Sequence, residues 1–255
     1  MQRIGIDHAQ GLRQWFRPER PGPLTGMHVL QTSQGSLRVD RWPAPRACVV
    51  ETGGNVGLGG DPEALSVHDV RAAVSGFVEP SRRFEGLLGE AFPNAVRWPR
   101  VILRHSGAVV QQEARRAATV RLLQAEDAAA IRRLERELAW ISVTWGGPDG
   151  LARSGYAWGA FVDGSLASVA CSFFVGEEYE DIGVVTSNEY RGTGLAPVCA
   201  ARLATDVIGR RRSPSWSTSP DNVQSLRVAE KLGFVVDRED YLLIVGRPSP
   251  QVERH

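Results

Sequence analysis

Lysine is almost missing from this 255-residue sequence: Lys231 is the one example among 30 basic side chains. Such a skew toward arginine is what GC-rich coding produces, and it carries little chemistry. An excess of either charge sign is missing too. With a net charge of +1, no global field draws the chain toward nucleic acid or an anionic membrane. Cysteine is scarce: Cys48, Cys171 and Cys199 lie far apart and form no CxxC pair, as expected of reduced thiols in a cytoplasmic protein. No run approaches the roughly 20 apolar residues of a membrane-spanning helix. The opening "MQRIGIDHAQGLRQWF" lacks the apolar core of a signal peptide. His8, His28, His68, His105 and His255 show no HExxH or other ligand pairing, so no metal site is expected. Without GxSxG, serine hydrolase chemistry has no support.

What is present is an ordinary globular composition, 42% apolar and 23% charged, in a chain long enough for one large domain or two modest ones. The second half parses more readily. "TVRLL" (119–123) predicts a strand, and "AEDAAAIRRLERELAWI" places Ile131, Leu134, Leu138 and Ile141 on one helical stripe. "YAWGAFV" and "SLASVACSFFV" flank Asp163-Gly164, whose positive-φ preference predicts a type I′ hairpin. "EDIGVVT" is the next strand. Leu195, Cys199, Leu203 and Val207 then recur every fourth residue, with Gly209 suited to the position just past a helix end. "SWST" predicts a strand, and "SPDNVQSLRVAEKLGF" a helix with Ser219 as N-cap and Pro220 in its first turn. "YLLIVG" closes the series. The result is a mixed α/β layer with an antiparallel start.

In the first half, "LRVDRW", "ACVVET" and "RVILR" predict strands, while "VHDVRAAVSGFV" and "RRFEGLLGEAF" predict helices. "TGGNVGLGGD" (52–61) reads as a hairpin with a flexible exit rather than a ligand loop. A smaller α/β domain over 1–117 is therefore expected before a second domain over 118–255, the boundary falling in the polar "QQEARRAA". No internal repeat is visible.

The chemistry concentrates in "VVTSNEYRGTGLAPV" (184–198), where an arginine and several small residues separate a β-branched run from an apolar helix. A helix opening leaves backbone N–H groups unpaired at the positive end of its dipole, and small residues let phosphate oxygens reach them. A Rossmann pattern would start at Gly192 and Gly194 but meets Pro197 at its third small position. A P-loop needs GK[ST], and the lone lysine lies elsewhere. A plain tight turn with a solvated arginine is the alternative from the turn alone.

Arg191-x-x-Gly194-x-Ala196 resembles the pyrophosphate motif of the GNAT superfamily of acyl-CoA-dependent N-acyltransferases. "NVQSLRVAEKLGF" resembles that superfamily's second CoA motif. The likeness covers about residues 119–248. "DIGVVTSNEYRGTGLA", "PSWSTSPDNVQSLRVAEKLGF" and, more weakly, "VVETGGNVGLGGDPEAL" are similar to the zwittermicin-resistance-type branch. The resemblance implies a mixed central sheet of GNAT type with helices on both faces, and acetyl-CoA as co-substrate. Val184, Val185 and Thr186 would hold pantetheine through their backbone as if it were an added strand. Arg191, Gly192, Thr193, Gly194, Leu195 and Ala196 would cradle the pyrophosphate. Asn222 would bond pantetheine, with Ser225 one turn on. Where many members carry a tyrosine that protonates the leaving thiolate, this sequence has Ala229.

An amine acceptor must lose a proton before it attacks the thioester. "EEYED" (177–181) feeds the strand that would hold that thioester, so Glu180 is the first candidate base and Asp181 the second; a solvated acidic strand end is the alternative. A backbone N–H near Val185 would steady the oxyanion. Trp145 beside Gly146-Gly147, together with Tyr156, is the pocket candidate, while Trp140 and Trp158 read as core. Arg210, Arg211 and Arg212 follow a helix end and read as a solvated basic patch, with a CoA phosphate as the alternative partner.

These readings converge on an N-acetyltransferase acting on a small-molecule amine, an antibiotic or metabolite, by direct attack in a ternary complex. A non-catalytic acyl-CoA-binding module and a protein or peptide N-acetyltransferase are the rivals. The N-terminal domain is expected to shape the acceptor pocket or a subunit interface, with monomer and homodimer both open.

Overall fold

The computed structural model describes residues 1–79 and 81–248; His255 and the end of the expected second domain lie outside them. Packing divides the chain into two compact units. One comprises Met1–Glu19, Thr25–Arg100 and the chain from Glu239; the other comprises Arg20–Leu24 and Val101–Arg238. The expected division at 117/118 is therefore displaced. Residues 101–117 pack with the second unit, and the last strand returns to the first.

In chain order the elements begin with β1 (Gln2–Ile4), a series of 3-10 turns, α1 (Thr25–Thr32), β2 (Ser36–Val39), β3 (Ala47–Thr52), β4 (Asn55–Gly60), α2 (Val67–Ala73), β5 (Gly76–Glu79), α3 (Glu85–Ala91) and β6 (Val96–His105), of which residues 101–105 already belong to the second unit. Strands β1 to β4 pair antiparallel in sequence, and β4 pairs parallel with β5. Helix α1 covers one face over Leu37, Val39, Cys48 and Val50. Helices α2 and α3 cover the other over Ala47, Val49, Val56 and Leu58. Covering on both faces is why "ACVV" is a continuous apolar run instead of an alternating one.

The same order then repeats: β7 (Thr119–Leu122), α4 (Ala128–Arg132), a 3-10 stretch (Arg136–Trp145), α5 (Pro148–Arg153), β8 (Ala157–Val162), β9 (Ser165–Val175), β10 (Tyr179–Thr186), α6 (Leu195–Gly209), β11 (Ser213–Thr218), α7 (Val223–Lys231) and β12 (Phe234–Val245), whose residues from Glu239 belong to the first unit. Strands β7 to β10 pair antiparallel in sequence, and β10 pairs parallel with β11. Helices α6 and α7 pack on one face over Ala160, Ala170 and Ile182. The helices between β7 and β8 pack on the other, over Val169, Cys171 and Val185. The final strands are exchanged: β6 lies antiparallel beside β11, and β12 lies antiparallel beside β5.

Several expectations hold. Asp163 and Gly164 both take positive φ (49° and 79°), as the type I′ hairpin requires. "ACVVET" is β3, and Gly53-Gly54 turns it into β4. Others need correction. The helix expected over 125–141 breaks at Glu135, which is extended (φ −55°, ψ 145°), and the chain continues from Arg136 as 3-10. "SGFV" is strand β5, not helix. Helix α7 is capped by Asn222 instead of Ser219, and Gly209 lies inside α6, with the positive φ falling on Arg211 (63°). The unseen repeat is a repeat of topology, without a shared spacing of residues.

Candidate active site

Strands β10 and β11 form a fork. Their parallel pairing runs from Tyr179↔Ser213 to Ile182↔Trp216 and stops there, although β10 continues to Thr186 and β11 to Thr218. Strand β11 keeps its partner on the other side, because Ser215 to Thr218 pair with β6. A bulge between Asp181 and Ile182 shifts the register of β10 against β9 where the fork begins. The β11-facing edge of Val184–Thr186 is thus left without a ladder.

Beyond the fork the chain turns through Asn188–Tyr190 and enters α6. Gly192 and Gly194 take φ of 75° and 85°, which L side chains adopt at a cost. A Cβ on Gly192 would meet nothing within 4 Å, whereas one on Gly194 would lie 3.3 Å from the Glu113 carbonyl. No side chain caps α6, so its first amides remain bare, and Pro197 falls at the third helical position, inside the first turn. Arg191 is exposed at the mouth, its Nε–H group 3.5 Å from the Thr186 carbonyl oxygen. Leu195 is buried, so only its backbone faces the turn; Ala196 is half-buried. The Thr193 carbonyl accepts the Arg115 N–H at 2.9 Å, which ties the 106–118 connection to the turn.

Asn222 and Ser225 come together on the far arm of the fork. Asn222 Oδ1 accepts the Ser225 N–H at 3.2 Å, and Ser225 Oγ accepts the Trp216 indole N–H at 2.9 Å. Ala229 is fully buried in the α6–α7 core, so that position presents no acid.

The two carboxylates expected near the thioester are both buried but keep different partners. Glu180 is completely buried. Its Oε1 accepts from Arg210 Nε and Arg212 Nη1, both at 2.9 Å, while Oε2 accepts from Arg210 Nη2 at 2.7 Å and from the Ser172 hydroxyl. Burial pushes its carboxyl up, but the Arg210 and Ser172 hydrogen bonds and the charge of Arg210 outweigh that and hold it below the usual range. A carboxylate so fully engaged is a structural ion pair, which corrects the first choice of base. The same contacts correct the reading of Arg210 and Arg212 as a solvated patch. Asp181 is 5% exposed, and its Oδ1 accepts the Ser215 hydroxyl at 3.0 Å.

The aromatic assignments are exchanged. Trp145 is core: it is 5% exposed and donates its indole N–H to the Ser172 carbonyl at 2.9 Å. Tyr156 is half-buried, stacked on Trp145 at 5.1 Å, with the Arg210 guanidinium 4.7 Å over its ring. Trp140, read as core, is 43% exposed and meets the Phe173 ring at 5.5 Å; its six-membered ring would lie 3.2 Å from a Cβ on Gly183. Within the 3-10 stretch Leu138, Ile141, Ser142, Thr144 and Trp145 are buried, so Trp145 falls on the inward side and Trp140 does not. Sequence reasoning also missed Ser172 and Ser215, because serines in strands carry no signal until their partners are known. Among the described residues, no group of three or more His, Cys, Asp or Glu is placed to hold a metal ion. Among the same residues, no helix is long and apolar enough to cross a membrane.

Comparison with known proteins points to one family. A family model described as GNAT acetyltransferase matches residues 24–242, so the likeness begins well before residue 119 and takes in much of the first unit. An uncharacterized N-acetyltransferase in the mutA 5′ region of Streptomyces virginiae is 38% identical over 205 residues, 80% of this chain and 86% of that one. Among solved structures, a GCN5-related N-acetyltransferase-like protein from Streptococcus suis superposes with a TM-score of 0.66 at 18% identity, covering 95% of this chain and all of the other. A tandem GNAT protein from the clavulanic acid biosynthesis pathway gives 0.60 at 14% identity, covering 97% and 98%; at such identities the likeness is one of fold. An open strand fork, a bare glycine turn and a family match over most of the sequence agree: this chain is an N-acetyltransferase and belongs to the GNAT acetyltransferase family.

Proposed function

We propose that this enzyme acetylates the amine of a small molecule with acetyl-CoA, by direct attack in a ternary complex. The observation that carries the reading is the fork after Ile182↔Trp216, continuous with the uncapped turn at Gly192–Gly194. The residues fit the co-substrate. The edge of Val184–Thr186 beyond the ladder suits the amides of pantetheine through Val184 and Thr186, since the Val185 carbonyl already accepts the Ser168 hydroxyl at 2.7 Å. The bare amides at the start of α6, with Arg191 and Thr193 beside them, suit a pyrophosphate. The Asn222 Nδ2 group is the half of that amide not used in capping α7. Acetyl-CoA supplies an activated acyl group whose thiol, with an ordinary pKa near 8.5, leaves tolerably without an acid. That agrees with buried Ala229.

Proton removal from the acceptor falls to Asp181, one residue before the fork, since Glu180 is held by two guanidinium groups. A backbone N–H near Val185 steadies the oxyanion. Tyr156 and the exposed Trp140 are the aromatic candidates for the acceptor side. Membership of the zwittermicin-resistance-type branch, an antibiotic-like acceptor, a cytoplasmic location and a homodimer belong to this reading and rest on the sequence resemblance.

The test is calorimetry with CoA, coupled to thiol release from acetyl-CoA with polyamines, aminoglycosides, amino acids and peptides. Binding together with turnover on a non-peptide amine is the expected result. Turnover on peptides alone would replace the small-molecule acceptor, and binding without any turnover would leave a ligand-binding module.

A further inference from the structure

The segment Arg20–Leu24 is flanked on both sides by residues of the first unit, yet it packs with the second. It reads Arg-Pro-Gly-Pro-Leu. Prolines carry no N–H, so Gly22 holds the one backbone donor of the central Pro-Gly-Pro. Pro21 and Gly22 are both buried, and a buried N–H requires a partner. The partner is the Ser215 hydroxyl oxygen, 3.2 Å away and 193 residues distant in sequence.

The same hydroxyl is 3.0 Å from Asp181 Oδ1 and 3.4 Å from the Glu180 carbonyl oxygen. A hydroxyl has a single proton, and the carboxylate, at the shorter distance, is the stronger acceptor. With the Gly22 N–H occupying an oxygen lone pair, the Ser215 proton is directed to Asp181. Ser215 is fully buried and faces Asp181 in register across the last stretch of paired β10 and β11, just before the fork opens. Gly22 cannot be exchanged without disturbing this. Its φ is 111°, and a Cβ there would lie 3.2 Å from two carbons of Ile102.

We propose that the relay Gly22 N–H to Ser215 Oγ–H to Asp181 positions the carboxylate that removes the acceptor's proton. Ser215 is a positioning residue, and the Pro-Gly-Pro segment is the strut that fixes it. This rests on the reading of Asp181 given above. In the step served, one N–H bond of the acceptor's ammonium breaks and its proton passes to the Asp181 carboxylate. The freed nitrogen lone pair forms the C–N bond at the thioester carbonyl, and collapse of the resulting oxyanion breaks the C–S bond, so that CoA leaves as the thiolate and takes up the second proton shed by the nitrogen.

The experiment uses the full-length protein, acetyl-CoA, and the amine giving the fastest thiol release. Ser215→Ala is expected to lower kcat about 10- to 100-fold, with KM for acetyl-CoA and calorimetric CoA affinity unchanged, and Ser215→Thr to restore most of the rate. Asp181→Asn is expected to lower kcat by about 10²-fold or more, and adding Ser215→Ala to it to cost nothing further, since the two act as a unit. Ser215→Ala with the parent's kcat, additive losses in the double variant, or a parallel loss of CoA affinity would each overturn the relay. Should Ser215→Ala fail to fold, the Ser215→Thr and Asp181→Asn rates decide: a threonine variant as slow as Asp181→Asn overturns the relay, and one near the parent supports it. A parent that binds CoA yet releases no thiol with any amine would defeat the underlying reading, and the relay with it.

Discussion

The turn after β4 and the turn after β10 hold the same place in two units with the same order of elements, yet they satisfy their amides in opposite ways. After β4 the chain supplies its own acceptors. Asp61 accepts the Glu63 N–H, while Ser66 and Asp69 form a reciprocal capping box at the start of α2, a helix of only seven residues. Acidic side chains fill the region an anion would need, with Arg46 already paired to Asp61. After β10 there is no side-chain cap, two glycines take positive φ, and α6 runs for 15 residues with Arg191 before it. One architecture thus gives a self-closed turn in one unit and a bare one in the other. Ligand capacity here depends on which groups meet the helix-opening amides, not on the fold that presents them.

Four experiments would break or sharpen that contrast. The largest effect is expected from Glu180→Ala, the second residue of β10, whose counterpart as second residue of β4 is the apolar Val56. Removing one member of a buried, hydrogen-bonded ion pair costs about 3–5 kcal/mol, read as a lower urea midpoint. The sign with pH comes from the lowered carboxyl. The contribution is fully present above the unfolded value near 4.3 and is lost as pH falls through the lower folded value, so parent and Glu180→Gln midpoints should converge only in strong acid.

Next is the Arg191→Glu, Gly194→Val pair, which removes the cation and blocks the amides; CoA affinity should fall at least about 100-fold, or ~3 kcal/mol, by calorimetry. Third, Ser66→Ala at the self-closed turn should cost about 1 kcal/mol of stability and leave CoA affinity at the parent value. The smallest signal is a count: titration should end at one CoA per chain, and two would show that the first turn also opens.

Much of the second unit was legible because its signals are local. Asp163-Gly164 dictates its hairpin, and the four-residue spacing from Leu195 to Val207 identifies α6, all four residues of which are buried. Arg191 and the two glycines were legible for the same reason, as a run whose small residues exceed the needs of a turn. What escaped depends on distant partners. Glu180 looks like a surface acid until Arg210, Arg212 and Ser172 close around it. Ser215 acquires meaning only from Asp181 and Gly22. The period of the 136–145 stretch could not be read from its apolar residues, since Leu138 and Ile141 fit both a 3.0 and a 3.6 repeat. In the first unit, β5 is only four residues long and α1 is buried without a break from Thr25 to Leu30, so neither offers a pattern long enough to read.

The exchange of final strands has a practical consequence for anyone dividing this polypeptide. A fragment starting at residue 118, the cut that composition suggests, would discard Val101–Arg104 and leave the Ser215–Thr218 edge with unpaired amides and carbonyls. Exposed edges of that kind recruit other chains. Such a fragment should precipitate or form aggregates on expression, whereas a product that keeps Arg20–Leu24 and everything from Val101 retains the strand that seals it.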